Sequence, residues 1–207
     1  MSSSILRKTG ALASITLALS FGLAACGDDD SDTGATGSTD TSSAPAAEAG
    51  TNFGAGCAAV PAEGDGSFNG MATAQVATAA SANPVLSTLV TAVGAAKLVD
   101  TLNGAEALTV FAPANSAFEK IPAKDLNVLI ADVPALTKVL THHVLGEKVA
   151  PADLAGEHTT LAGDKITVVG SGEDFTVEGK TVKSKVICGN VQTANATVYI
   201  IDTVLTD

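Results

Sequence analysis

The apolar residues of this chain change their spacing once, near Pro151, and that change restricts the folds open to it. "ANPVLSTLVTAV" starts with Asn83 as a helix cap and Pro84 at the first helical position. Leu86, Leu89, Val90 and Val93 then recur at the spacing of one helix face. "AAKLVDTL" adds a turn or two before the stop signal Asn103-Gly104. "IPAKDLNVLI" sets Leu126, Leu129 and Ile130 on one side behind Pro122, and "DVPALTKVL" sets Leu136, Val139 and Leu140 behind the cap Asp132. Past Pro151 come short β-type runs at 165–169, 175–177, 180–182, 185–187 and 197–205. Gly163-Asp164, Ser171-Gly172, Glu178-Gly179 and Gly189-Asn190 separate them as turns. Helical stripes and strand alternation bury different residues, so neither segment substitutes for the other. Helices early and strands late predict an α+β domain, not alternating βαβ units.

One strand precedes the change. "ALTVFAP", 107–113, reads as a buried strand closed by its proline. In the last run, "TVYIIDTVL", alternation puts Asp202 on the face of Val198, Ile200 and Val204, with Tyr199, Ile201, Thr203 and Leu205 on the other. A carboxylate on an apolar face needs hydrogen-bond partners. Asp202 is therefore predicted to hold the loop after 107–113, around Asn115 and Ser116, or backbone amides beside it. The domain has no Trp and only one Tyr, so its core is expected to be aliphatic, with little aromatic surface for stacking.

The N-terminus carries a separate signal. Arg7 and Lys8 precede the apolar run "ALASITLALSFGLAA", Ala11 to Ala25, which is short for a membrane span and built like a secretory leader. It ends in "LAAC", and a small-residue triplet before cysteine resembles the bacterial lipobox, where the thiol of Cys26 is diacylated and becomes the new N-terminus. The alternative is an ordinary leader cut with Cys26 incidental. From Gly27 to Gly50 the chain carries six acids, no basic residue and no large apolar side chain. Residues 26–53 are accordingly predicted to be a disordered acidic tether. Residues 54–207 are one domain's worth of chain.

Cys57 and Cys188 are the other cysteines. In an exported protein two lone thiols are expected to form a disulfide, a free reactive pair being the alternative. The net charge of −11, made more negative by losing Arg7 and Lys8 with the leader, excludes nucleic acid as a partner and leaves the membrane to be met through a diacylglyceryl anchor alone.

Three further segments resemble successive motifs of the fasciclin-type (FAS1) domain: "LTVFAPANSAF" (108–118), "LTKVLTHHVLGEKV" (136–149) and "NVQTANATVYIIDTVL" (190–205). Together with the leader and tether, the chain is similar to single-domain fasciclin surface lipoprotein antigens of mycobacteria. The resemblance covers 71–207, with 54–70 tied on by the cysteine pair. It implies a twisted β-sandwich wedge with helices packed along one edge and side. It also implies surface display, adhesion or matrix roles, and no catalytic centre. The family's central Tyr-His pair is matched by His142 and His143, so His142 replaces the tyrosine that is associated with integrin binding in animal members. That activity does not carry over. A second departure is Ala196, where glycine often follows the Asn195 position.

The family motifs make His142, His143, Asn115, Asn195 and Asp202 the candidate binding or structural residues. Were Thr141 to Val144 extended, the two histidines would leave opposite faces and share no metal. Zinc needs three or four converging ligands, and the one further histidine is His158. No metal or cofactor is expected, and His143 reads as a partly buried imidazole bonded to the scaffold. The chain has no GxSxG, HExxH, Walker or dinucleotide-binding pattern. The function expected is a non-enzymatic, lipid-anchored adhesion module contacting extracellular or cell-surface proteins from the outer face of the bacterial membrane. The competing function is a carrier or sensor that holds an apolar small molecule, such as an acyl lipid, in the wedge between helices and sheet.

Overall fold

A computed structural model describes residues 51–206. The leader at 1–25, Cys26 and the tether up to Gly50 lie outside the described residues. The helices form where stripe and cap coincide. Two short ones come first, α1 (Phe68–Ala72) and α2 (Val76–Ala82). Neither was expected, since five and seven residues are too few for a periodic signal. The Asn83 side chain accepts from Val85 N–H, and Pro84–Leu86 makes a 3-10 turn leading into α3 (Ser87–Ala95). Lys97, at φ 56°, then breaks the path before α4 (Val99–Gly104). After strand β1 (Leu108–Pro113) come α5 (Asn115–Glu119), α6 (Ala123–Ala131) and α7 (Val133–His142), the last capped by Asp132 accepting from Ala135 N–H. Among the described residues no single helix is long and apolar enough to cross a membrane.

The α+β class is as expected, and its sandwich takes the form of one mixed sheet. The remaining strands are β2 (Val144–Leu145), β3 (Gly156–Thr159), β4 (Lys165–Ser171), β5 (Asp174–Glu178), β6 (Lys183–Gln192) and β7 (Ala196–Ile201). Their order is β2-β1-β7-β6-β5-β4-β3. β1 and β7 run parallel in register from Leu108 opposite Ala196 to Pro113 opposite Ile201, and the other pairs are antiparallel. A bridge between Leu145 and Thr160 brings the two edges together, so the sheet curls almost into a barrel.

One strand reading and one turn reading need correction. Residues 180–182 form no strand, and Gly189-Asn190 is no turn: β6 runs through it. Val186 and Cys188 face Ile201 and Ile200, while Cys188 and Val191 face Ile200 and Val198, so each step leaves one extra residue on β6. Such bulges absorb Asn190 at φ 59°, the same left-handed preference that suggested a turn. β2 and β3, two and four residues long, escaped the sequence pattern.

The alternation of the last strand separates two cores. Val198, Ile200 and Val204 face the helices, with Leu86, Leu89, Leu136 and Leu140. Tyr199, Ile201 and Leu205 face the inside of the curled sheet, with Ile166, Val168, Phe175 and Val177. The few aromatics concentrate in this second core. Phe53 lies 5.7 Å from Phe175 and 6.4 Å from Tyr199, and Phe111 lies 5.9 Å from Tyr199, ring centre to ring centre.

Phe53 also moves the domain boundary expected at Gly54. It is buried, exchanges backbone hydrogen bonds with Gly189, and its neighbour Asn52 donates to Asn190 O. Gly189 is required there, because a Cβ would sit 2.1 Å from the Phe53 ring. The Cys57–Cys188 disulfide spans 131 residues and staples this segment to β6. A Cys57→Ser/Cys188→Ser double variant is expected to lose ~2–5 kcal/mol in denaturant unfolding. Unchanged stability would mean that the strand contacts alone hold the segment.

Candidate functional site

The motif residues do not converge. Asn195 lies just before β7, while Asn115 and Asp202 follow the far ends of β1 and β7. At roughly 3.3 Å per residue, six-residue strands separate these ends by about 20 Å. Each residue instead ties a helix or loop to the sheet. Asn195 is buried; its Oδ1 accepts from Val76 N–H, and its Nδ2 donates to Leu102 O and Ala105 O, so one amide joins the start of α2 to the end of α4. Asn115 does the same at the opposite end, accepting from Thr88 N–H and donating to Pro84 O.

Asp202 departs from its expected place. β7 ends at Ile201, so the carboxylate leaves the apolar face and its side chain stays 35 % exposed. It accepts from Lys185 N–H, from Lys120 Nζ at 3.1 Å and from the Thr203 hydroxyl, not from the loop at Asn115 and Ser116. Burial pushes its pKa up, and the bonds from Lys185, Lys120 and Thr203 outweigh this and hold it below the ordinary value.

The histidine pair sits at a helix end, not on a strand. His142 is the last residue of α7 and His143 its C-cap, and their rings meet edge to face at 6.2 Å. Their diverging partners, not strand alternation, keep them from one ligand. His143 is buried with Nδ1 2.7 Å from Val139 O, while its Nε2 accepts from Leu205 N–H, which sets the proton on Nδ1. His142 is only 1 % exposed, so the expectation that it presents a binding surface in place of the family tyrosine is corrected. Its Nδ1 lies 2.7 Å from Asp164 Oδ1, which also takes a short bond from the Thr160 hydroxyl. Its Nε2 is buried and has no hydrogen-bond partner among the described residues.

Asp164 was legible only as half of a turn; its bond to His142 spans 22 positions, beyond any local pattern. Burial raises its pKa, and the bonds from Thr160 and His142 bring it below the ordinary aspartate value. Among the described residues no three His, Cys, Asp or Glu side chains gather as a metal site.

A cleft lies between the helices and the sheet, where the sequence could name only the wedge of the expected fold and no lining residue. It lies where α2, α3 and α4 cover the sheet, encloses about 960 Å³ including its solvent-open part, and lets the centre of a water-sized sphere move through about 70 Å³. Val110, Ala112, Val198 and Ile200 form its floor, with Leu86, Leu89, Val93 and Leu102 among its walls. Its only signal in the sequence was an abundance of Ala, Val and Leu, which an ordinary core shares.

This layout is that of a fasciclin domain, and the chain belongs to that family: the Fasciclin domain model matches residues 84–207. The chain is 46 % identical over 173 residues to the cell surface glycolipoprotein MPB83 of Mycobacterium bovis, a match covering 80 % of this chain and 76 % of that one. It is 44 % identical over 169 residues to the immunogenic protein MPB70 of the same organism, covering 78 % and 85 %. A FAS1 domain pair from the insect cell adhesion molecule fasciclin I shares the fold, with a TM-score of 0.56 at 16 % identity over 67 % of this chain. This chain spans about half of that two-domain protein, 52 %.

Asn195→Ala leaves an amide and two carbonyls without their partner and is expected to cost about 3 kcal/mol, read from denaturant unfolding; a loss under about 1 kcal/mol would show that the loops hold without it. A carboxyl with a lowered folded-state pKa stabilises above its ordinary value and loses that effect as pH falls through the folded value. Melting temperature should therefore decline below about pH 4, and Asp164→Asn should flatten that decline. An identical acid limb in the variant would remove Asp164 from it.

Proposed function

We propose that this protein is a non-enzymatic binding module, tethered through a diacylated Cys26 to the outer face of the bacterial cell membrane, which contacts extracellular or cell-surface proteins. The observation that carries this reading is the 46 % identity, over 80 % of the chain, to a relative named as a cell surface glycolipoprotein. The leader ending in Cys26 and the acidic stretch after it support the same placement. A site for protein contact is suggested by Val128 and Val133, large apolar side chains exposed at the junction of α6 and α7. The motif histidines, being buried, are not offered to a partner.

The apolar cleft favours a second reading, a carrier of an apolar small molecule at the envelope. The two readings use different surfaces and exclude neither each other nor a shared role.

Metabolic labelling with a radioactive fatty acid is expected to mark the wild-type protein and not Cys26→Ser. A photoreactive residue in place of Val128 is expected to capture a specific envelope or extracellular protein on intact cells. Capture no better than from the same probe at the exposed Lys165 would overturn the proposed contact surface.

A further inference from the structure

The cleft beneath α2, α3 and α4 has a wall chemistry that narrows what fills it. Its polar side chains, apart from Thr101 exposed at the rim, are already engaged: Asn83 with Val85 N–H, Ser81 with Ala77 O, Thr141 with Thr137 O, Thr193 with Ala196, and His143 on both ring nitrogens. A ligand inside therefore finds hydrocarbon and few free hydrogen-bonding groups. The walls are mostly branched aliphatics and alanines, with Phe111 and the already bonded imidazole of His143 as the aromatic lining residues. Such walls shape themselves to a flexible chain and offer no paired planar faces for stacking a flat ring.

Size and opening agree. Small-molecule sites are mostly apolar, and the part of this cleft open to the centre of a water-sized sphere is about 70 Å³. A single water needs only roughly 10–15 Å³ of such centre-accessible space. Of the few large apolar side chains exposed on this protein, Val99 and Leu161 are two, and both belong to the cleft lining, at 37 % and 46 % exposure. Leu161 is fixed at this rim by its N–H bond to Val144 O and by the Asp164–His142 contact in the same turn. The other exposed lining residues, Ser81 and Thr101, carry no charge.

We propose that the cleft holds one acyl chain of a lipid, inserted tail-first past Val99 and Leu161 with the head group left in water. This rests on the carrier reading, with its acyl lipid, and adds the mouth, the number of chains held and the orientation.

The test uses full-length protein purified in mild detergent. Native mass spectrometry of that preparation is expected to show a separable acyl lipid, whose mass distinguishes a free fatty acid from an esterified lipid. Stripped protein is then titrated with palmitate, laurate and octanoate against a fluorescent fatty acid. Saturable one-to-one binding is expected, weakening by up to about fourfold for each methylene removed. Ala80→Phe and Val90→Phe, which fill the cleft from half-buried wall positions, are expected to weaken palmitate at least about tenfold, the equivalent of roughly two methylenes. Leu161→Asp, a rim change that leaves the core intact, is expected to weaken it as well, and covers the case in which the filling variants do not fold. A sterol found bound in native mass spectrometry, where no fatty acid binds, would overturn the acyl assignment and keep the carrier reading. Binding of neither would overturn both, and affinity independent of chain length would overturn insertion of the tail.

Discussion

The parallel pairing of β1 with β7 is the constraint on which the rest of the molecule depends. A parallel pair must have both faces covered, because its apolar residues alternate to both sides. Every residue of both strands is buried. One face is covered by the helices, the other by the sheet folding over its own interior. The crossover from β1 to β7 contains α5 to α7 and the other five strands, so the whole stretch from Ala114 to Asn195 is an excursion between two neighbours. That topology explains why helices precede strands in the sequence and still pack against the last strand.

Loops at the ends of such a pair cannot rely on apolar burial, since their backbone groups must be bonded. Asn195, Asn115 and His143 supply those bonds, each linking segments distant in sequence. The residues that define the family motifs are thus explained by the scaffold. The proposed contacts therefore rest on residues that the motifs do not include, Val128 and Val133, and on the space beneath the helices.

That space is at odds with ordinary packing. Protein interiors fill at the density of organic crystals, and voids cost stability because their linings lose contacts. Here the helical layer meets the sheet through small side chains, among them Ala77, Ala79 and Ala112, and leaves room between them. Nearby aliphatics of ordinary size would close it. A fold under selection for stability alone has little reason to keep the gap, which gives the cleft its functional interest.

The sequence by itself determined the class and much of the order. The stripes of α3, α6 and α7, the caps Asn83 and Asp132, the buried run "LTVFAP" and the two faces of β7 are short-range patterns, and local physics suffices to read them. The shape of the sheet was decided only in three dimensions. Bulges let β6 continue through Gly189 and Asn190, where local preference indicated a turn, because pairing on β7 and the ring of Phe53 outweigh it. The tertiary structure also made a helix end of the histidine pair, gave His142 a partner in Asp164, and moved Asp202 off the apolar face. The cleft belongs to that second group, since no residue encodes a gap: it arises from how far the helices stand from the sheet, a distance that side chains remote in sequence set together.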